Sequence, residues 1–520
     1  MRGTRILSTL RSNDATGEAL ISPLTPWALP NSTTPSLVPS TTVPSTFPTR
    51  LRWQQLYREA DLYKAAVRLY TQPLFCWRKA LFASTDQKDL YDFARFGLHN
   101  LESIHQALKR EAFAFRPALA LHREFRGKRR TLYVFPWEER LVDLLLYRLL
   151  SGRLQNWFSS NSYAYRLRGF GLDRCQRKIS LILREARRPL FVVKRDVANY
   201  FPSVDHGLLR QQLAWLVEPD DYLFRLLEER MRFYYQEDGH LVRANRGIAF
   251  GTATASLFAN VYLTSLDRRL DAIPGLQYFR YADDLILLAA DRQVIEAARQ
   301  ELAAGLLALR LESKLSHQED CVLCRDAEVV KEIAVDPQGF KPARKIRHLG
   351  LEFCSDGVIR LSRDKCRKIG NIFRFAFRRK RAKLARIREP RKRAEFLVSV
   401  ARNALEQSVR KVAIVDYYLK HVNDELQLQF LDRWLAEEVL ALTFNGNHRK
   451  AYFRQIPFAA LRAMGLPSLV HRRRKIRHGQ IAAPFFVWKS HQAEKSSRET
   501  AVKLRRCNAR PQLSLQALQQ

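Results

Sequence analysis

Acidic charge and long apolar runs are both scarce in this sequence. Over 520 residues, 52 Asp and Glu face 89 Lys and Arg, a formal charge of +37. With a pI near 10.3, self-repulsion on this scale is best relieved by phosphates, so a polyanionic partner is expected, nucleic acid ahead of acidic lipid. No apolar run reaches the roughly 20 residues a bilayer-spanning helix needs, because Lys or Arg interrupts each one; an integral membrane protein is not expected. Cysteine is sparse as well, seven residues scattered over the chain, which rules out a disulfide framework. The apolar stretch after Met1 is too short for a secretory signal, so a reducing, cytoplasmic setting is expected. Apolar residues themselves are plentiful, at 46% with 11% aromatics, which excludes wholesale disorder.

The composition changes along the chain. Residues 1–50 include a Ser, Thr and Pro stretch from Pro23 to Thr49 that cannot form a packed core and reads as a disordered arm. Asp14 and Glu18 interrupt its Arg-bearing start and speak against an organelle transit peptide. From Leu51 to about Phe115 the pattern is helical and basic. Arg126-Gly-Lys-Arg-Arg130 then precedes the apolar run Thr131 to Phe135, a basic turn entering a strand. From Pro189 to about Phe353 short apolar strands alternate with amphipathic helices. Lys365 to His478 is rich in Lys, Arg, Leu and Ala and reads as a separate helical domain. No internal repeat of fixed period is found.

Two acidic sites stand at the ends of apolar strands, where a carboxylate is costly without a task or a partner. One is Phe191-Val-Val-Lys-Arg-Asp196, and the other is Tyr278-Phe-Arg-Tyr281-Ala-Asp283-Asp284 followed by Leu-Ile-Leu-Leu288. Either alone is read equally well as a helix N-cap or a hairpin turn. Their order and surroundings decide otherwise. Tyr281-Ala-Asp283-Asp284 is the Tyr-x-Asp-Asp signature, and Thr131 to Arg140 resembles the first finger motif of the same family. Asn161-Ser-Tyr-Ala-Tyr-Arg166-Leu-Arg-Gly169 resembles the second. Gly247 to Leu263, with Phe250, Gly251 and Asn260, resembles the loop that runs into the template-side helix. Leu309 to Lys314 resembles the next motif, and His348-Leu349-Gly350 the primer-grip hairpin. Ordered matches of this number outweigh the false-positive rate of each short motif. The sequence is identified as a member of the bacterial reverse transcriptase superfamily. The loop Phe250-Gly-Thr-Ala-Thr with Phe258-Ala-Asn-Val-Tyr-Leu most resembles the defence-associated and diversity-generating groups.

The resemblance implies an α+β right hand: fingers over 51–190, a palm with an antiparallel sheet over 191–360, and a helical thumb with a basic helical extension over 361–520. It implies two Mg²⁺ ions, with Mn²⁺ as a substitute, held by Asp196, the Val197 main chain, Asp283 and Asp284, the three acids being the catalytic residues. Hard Mg²⁺ selects carboxylate oxygens and takes one or two of them plus substrate phosphates. The incoming nucleotide would meet Lys128, Arg129, Arg130, Phe201, Phe250, Gly251 and Lys314. Guanidinium forks suit a triphosphate, and Phe201, five residues after Asp196, stands where the family has its steric gate against a 2′-hydroxyl. Arg166, Asn260, His348, Leu349 and Gly350 would face template or primer. Phe250 stands where many relatives carry Gln, which suggests relaxed base selection. The basic runs Arg378-Arg-Lys-Arg and His471-Arg-Arg-Arg-Lys suit a template–product duplex or a structural RNA. Cys321 and Cys324 lack a matching second pair and are expected as reduced thiols rather than zinc ligands.

RNA-directed DNA synthesis from dNTPs is therefore expected, with an RNA template or dedicated noncoding RNA and a DNA product. Antiphage defence is the leading setting and a diversity-generating system the second. Template-independent or protein-primed synthesis, and a non-catalytic RNA-binding scaffold, are the competing functions. A partner protein or homo-oligomer is left open.

Overall fold

The computed structural model describes residues 49–70, 83–125, 128–166, 169–315, 318–325, 339–406 and 409–481. The Ser/Thr/Pro stretch lies outside them. In chain order the elements that shape the site begin with helices α1 (Glu59–Tyr70) and α2 (Gly97–Lys109), strands β1 (Ala118–Phe125) and β2 (Lys128–Val134), and helices α3 (Trp137–Arg153) and α4 (Leu172–Glu185). Strand β3 (Leu190–Asp196), helix α5 (Tyr222–Met231), strands β4 (Tyr234–Glu237) and β5 (His240–Arg243) and helix α6 (Ala253–Asp271) follow. Next come β6 (Gln277–Tyr281), β7 (Asp284–Ala289), α7 (Arg292–Ala308), β8 (Glu319–Leu323), β9 (Lys341–Ala343), β10 (Lys345–His348), β11 (Leu351–Cys354) and β12 (Ile359–Leu361). The helices α8 (Arg363–Arg379), α9 (Pro390–Glu406), α10 (Val409–His421), α11 (Glu425–Thr443) and α12 (Leu469–Arg477) complete the described chain.

The central sheet has the order β6-β7-β3-β8-β9 and is antiparallel except where β8 meets β9. Its strands are apolar on both faces because it separates two cores. Side chains alternate across a strand, so Val193, Leu285 and Leu287 enter a core with Leu257, Val261 and Ile295. Val192, Ile286 and Leu288 face the opposite way, toward Cys175, Ile179, Phe353 and the C-terminal helices. The first core also takes in Leu51, Leu62, Leu141 and Leu145, so the segments expected as fingers and palm share one interior. A second sheet, β2-β1-β4-β5, carries a small satellite core around Phe135 and Phe233. Of the expected basic turn, Lys128 to Arg130 belong to strand β2, and Arg126 and Gly127 lie outside the described residues.

Helix α6 starts where the Gly247 to Thr252 loop ends. Thr252 caps it by accepting from Ala255 N, and Asp143 of α3 accepts from Ala253 N at 2.6 Å and from Arg230 Nε at 2.7 Å. A carboxylate at a helix N-terminus is favoured by the orphan amides and the dipole. The three-stranded sheet β10-β11-β12 has its outer strand β12 paired by side chains. Gln427 Oε1 accepts from Leu361 N while Gln427 Nε2 donates to Leu361 O, and Asn423 Oδ1 accepts from Ile359 N. An exposed strand edge is thereby closed, and the helical C-terminal segment is fastened to the sheet. The fold is α+β, as the sequence led us to expect.

Candidate active site

Strand register places the acids. Asp196, last residue of β3, pairs with Asp284, first residue of β7, and Tyr281 pairs with Asp284 across a loop of two residues, Ala282 and Asp283. Ala282 adopts φ +60°, the positive value that tight hairpins with native strand twist require at the first loop position. Val197 N donates to Asp283 O at 3.0 Å, which brings the end of β3 directly beneath the turn. Burial, together with the nearby charges of Asp196 and Asp284, pushes the Asp283 carboxyl up to about 6; like-charged carboxylates sharing a site behave this way. Lys314 is anchored to the same spot, its N donating to Asp196 O at 2.7 Å and its Nζ standing 3.7 Å from Asp196 Oδ2.

These residues open into a cavity of about 680 Å³ whose lining includes Asp196, Val197, Asp283, Lys314, Phe201 and Phe250. Phe201 is half-buried, and its ring meets those of Tyr200, Tyr165 and Phe250 edge to face. Its carbonyl accepts from Ile248 N at 2.9 Å. Gly247, at φ +83°, packs so tightly here that a Cβ would stand 2.9 Å from Pro202 O; only glycine fits. Gly251, also at positive φ, faces open space.

The hairpin β10–β11 turns through Leu349 (φ +49°) and Gly350 (φ +84°), and a two-residue loop with both φ positive is the type I′ turn. His348 is buried, with Nδ1 3.3 Å from Asp284 Oδ1, so the hairpin abuts the second acid of the turn. Asp284 therefore leans toward His348, whereas Asp196 and Asp283 face the cavity.

Three expectations are corrected, the first being His348, which at 1% exposure stands against Asp284 instead of facing template or primer. Asn260 does not face template: it is 1% exposed, donates from Nδ2 to Ala164 O at 2.9 Å and accepts from Arg280 Nη1 at 3.2 Å. Arg166 turns inward as well, donating to Gln155 Oε1, Gln155 O, Ser159 O and Ser162 O and stacking over Phe170 at 3.9 Å. Both satisfy buried acceptors, a use that a motif resemblance does not distinguish from substrate contact. The side chains of Lys128, Arg129 and Arg130 lie outside the described residues. Cys321 and Cys324 are buried free thiols.

A pair missed in the sequence supports the turn. Arg280, fully buried, donates to Asp267 Oδ1 at 2.7 Å and Oδ2 at 2.5 Å, and to Ala282 O at 3.3 Å. Tyr278 OH donates to the same Asp267 carboxylate at 2.5 Å. The main chain of Arg280 also pairs with Asn161 O and Tyr163 N, each at 2.9 Å. The available signal was an Arg inside an apolar strand and an Asp inside an apolar helix, each needing a partner.

The donor set fits a divalent cation. The Asp196 charge raises the proton affinity of the Asp283 carboxyl beside it, and Lys314, 3.7 Å from Asp196 Oδ2, neutralises the pair only in part. Among the described residues no group of three or more His, Cys, Asp or Glu side chains could hold a metal ion. A site of two carboxylates completed by main chain and substrate phosphates matches the habit of Mg²⁺ rather than of a closed metal cage.

Residues 138–353 match the family model described as reverse transcriptase (RNA-dependent DNA polymerase), and the chain carries a reverse transcriptase domain over that span. It is similar to Protein YkfC of Escherichia coli strain K12, 23% identical over 235 residues that cover 37% of this chain and 61% of that protein. It is also 28% identical over 146 residues to the retrovirus-related Pol polyprotein from type-1 retrotransposable element R2 of Nasonia vitripennis, covering 25% of this chain and 14% of that protein. The chain thus spans about three-fifths of the first relative and a small part of the second. Among solved structures, telomerase from Candida albicans with a fragment of telomeric RNA aligns at 10% identity and TM-score 0.41, covering 71% of this chain and 68% of that one. Apo telomerase from Candida tropicalis aligns at 10% and 0.38, covering 69% of each chain.

Proposed function

We propose that the protein is an RNA-directed DNA polymerase. The observation that carries this reading is the register that sets Asp196 beside the Tyr281–Asp284 turn, inside the reverse transcriptase domain. Asp196 and Asp283, with the Val197 main chain, would hold two Mg²⁺ ions, and Asp284, braced on His348, would orient the turn. Such ions, when bound, stabilise the attacking 3′ oxygen and the pyrophosphate leaving group together. The chain itself positions and neutralises. Lys314 adds a cation where charge builds on the leaving pyrophosphate, and Phe201 fills the space a 2′-hydroxyl would need. The Leu349–Gly350 turn supports the primer end. Most of the catalysis in phosphoryl transfer comes from such positioning and charge compensation.

Residues 51–190 would serve as fingers, 191–360 as palm, and 361–520 as thumb with an extension that holds the duplex or an RNA. The likeness of the Phe250 loop and the helix after it to defence-associated groups supports a bacterial antiphage setting with a dedicated noncoding RNA. The test is to purify wild type and Asp283→Asn, sequence the copurifying RNA and DNA, and assay dNTP incorporation with and without a primed RNA template. DNA made by the wild type only, and only on template, is expected. Equal product from both proteins refutes catalysis by this site, and product from dNTPs alone supports the template-independent alternative.

A further inference from the structure

Phe201 is held by neighbours that differ in how firmly they are themselves fixed. Tyr200 is buried, and its hydroxyl donates to Ala259 O, so its ring, 5.8 Å from that of Phe201, is an immobile floor. Phe250, 5.6 Å away at 78°, is 39% exposed at the cavity mouth. A third ring, Tyr165, is 40% exposed like Phe250 but is set by its backbone, and it meets Phe201 at 6.4 Å and 79°. Edge-to-face pairs at such separations are attractive and directional.

Tyr165 reaches this position at a cost. Its backbone has φ +58°, a left-handed conformation that a bulky non-glycine residue seldom adopts. The conformation is held by the next residue, whose guanidinium closes on Gln155, Ser159 and Ser162 and stacks on Phe170. That clamp fixes the loop while leaving Tyr165 directed into the cavity that Asp283 and Phe201 line. Burial and the neighbouring Asp283 charge push its hydroxyl up to about 12, in keeping with a ring packed close to the catalytic turn.

We propose that Tyr165 is a specificity-determining positioning residue, whose ring buttresses Phe201 and keeps it from rotating away from the sugar of the incoming nucleotide. The inference rests on the polymerase reading. A steric gate discriminates only while its ring is held, because a half-buried Phe with an open side can swing to another staggered rotamer and make room for a 2′-hydroxyl. Arg166 then acts at one remove, by holding Tyr165 in its strained conformation.

The test compares kcat/KM for a dNTP and for the matching rNTP on a primed RNA template, with wild type, Tyr165→Ala and Tyr165→Phe. Tyr165→Ala is expected to lower the dNTP/rNTP ratio by about tenfold, mainly through a lower KM for the rNTP. Tyr165→Phe, which keeps the ring, is expected to retain the wild-type ratio. An unchanged ratio in Tyr165→Ala overturns the proposal. So does an equal fall in Tyr165→Phe, which would assign the effect to the hydroxyl, or complete loss of dNTP incorporation in Tyr165→Ala, which would make Tyr165 a substrate contact instead of a buttress. A wild-type protein that incorporates no dNTP refutes the polymerase reading itself.

Discussion

Replacing Asp267 by Ala would strand the Arg280 guanidinium in the interior of the sheet. Both side chains have zero exposure, and among the described residues Asp267 is the carboxylate that hydrogen-bonds Arg280; without it the guanidinium keeps Asn260 Oδ1 at 3.2 Å and Ala282 O at 3.3 Å. Removing one partner of a buried ion pair costs about 3–5 kcal/mol. The Tyr278 hydroxyl loses its acceptor as well, adding about 1 kcal/mol or more. Urea denaturation should show that loss directly. The double substitution Asp267→Leu with Arg280→Met removes both charges and roughly keeps their volume, so it should recover most of the stability. It should not recover activity, because the tie from Arg280 to the Ala282 carbonyl holds the turn that presents Asp283. A single variant destabilised by less than 1 kcal/mol, or a double variant as fully active as wild type, would refute the reasoning.

Other consequences follow from the same geometry. Since the folded protein raises the Asp283 carboxyl from the ordinary 3.8 to about 6, the folded state binds a proton more tightly than the unfolded chain. Its contribution to stability is present at low pH and lost as pH rises through about 6. Metal-free protein should therefore show a melting temperature that falls between pH 5 and pH 7, with millimolar Mg²⁺ or Asp283→Asn flattening the fall; a melting temperature that rises over this range would contradict the assignment. Gly247→Ala forces a Cβ onto Pro202 O at 2.9 Å in a left-handed backbone and should cost about 1–3 kcal/mol, measured by thermal melting, while displacing Phe201. Phe201→Ala should admit ribonucleotides in a primed extension assay; unchanged sugar selectivity would remove the gate assignment.

Much of the site could be read from the text of the chain because its parts are local. Asp196 ends an apolar strand, and Asp283 and Asp284 sit in a turn between two others. A strand that must bury both faces has to be apolar, so these carboxylates stand out against their background. Arg166 and Asn260 were misdirected for the opposite reason. A polar side chain in a motif can equally face a ligand or satisfy a carbonyl in its own protein, and only the position of Ala164, Ser159 and Gln155 relative to them settles which. The Arg280–Asp267 pair was invisible because its members are 13 residues apart on a strand and a helix, with nothing in their spacing to link them.

By itself, then, the order of residues determined a basic chain with α+β architecture, the positions of its acidic turn and strand end, and the reverse transcriptase resemblance, since these depend on period, burial and charge along a continuous stretch. Tertiary structure alone decided that Asp284 leans on His348, that Phe201 is held among three rings, and that a buried arginine supports the acidic turn. Each is a contact between segments brought together by sheet register and helix packing, and such contacts carry no sequence period of their own.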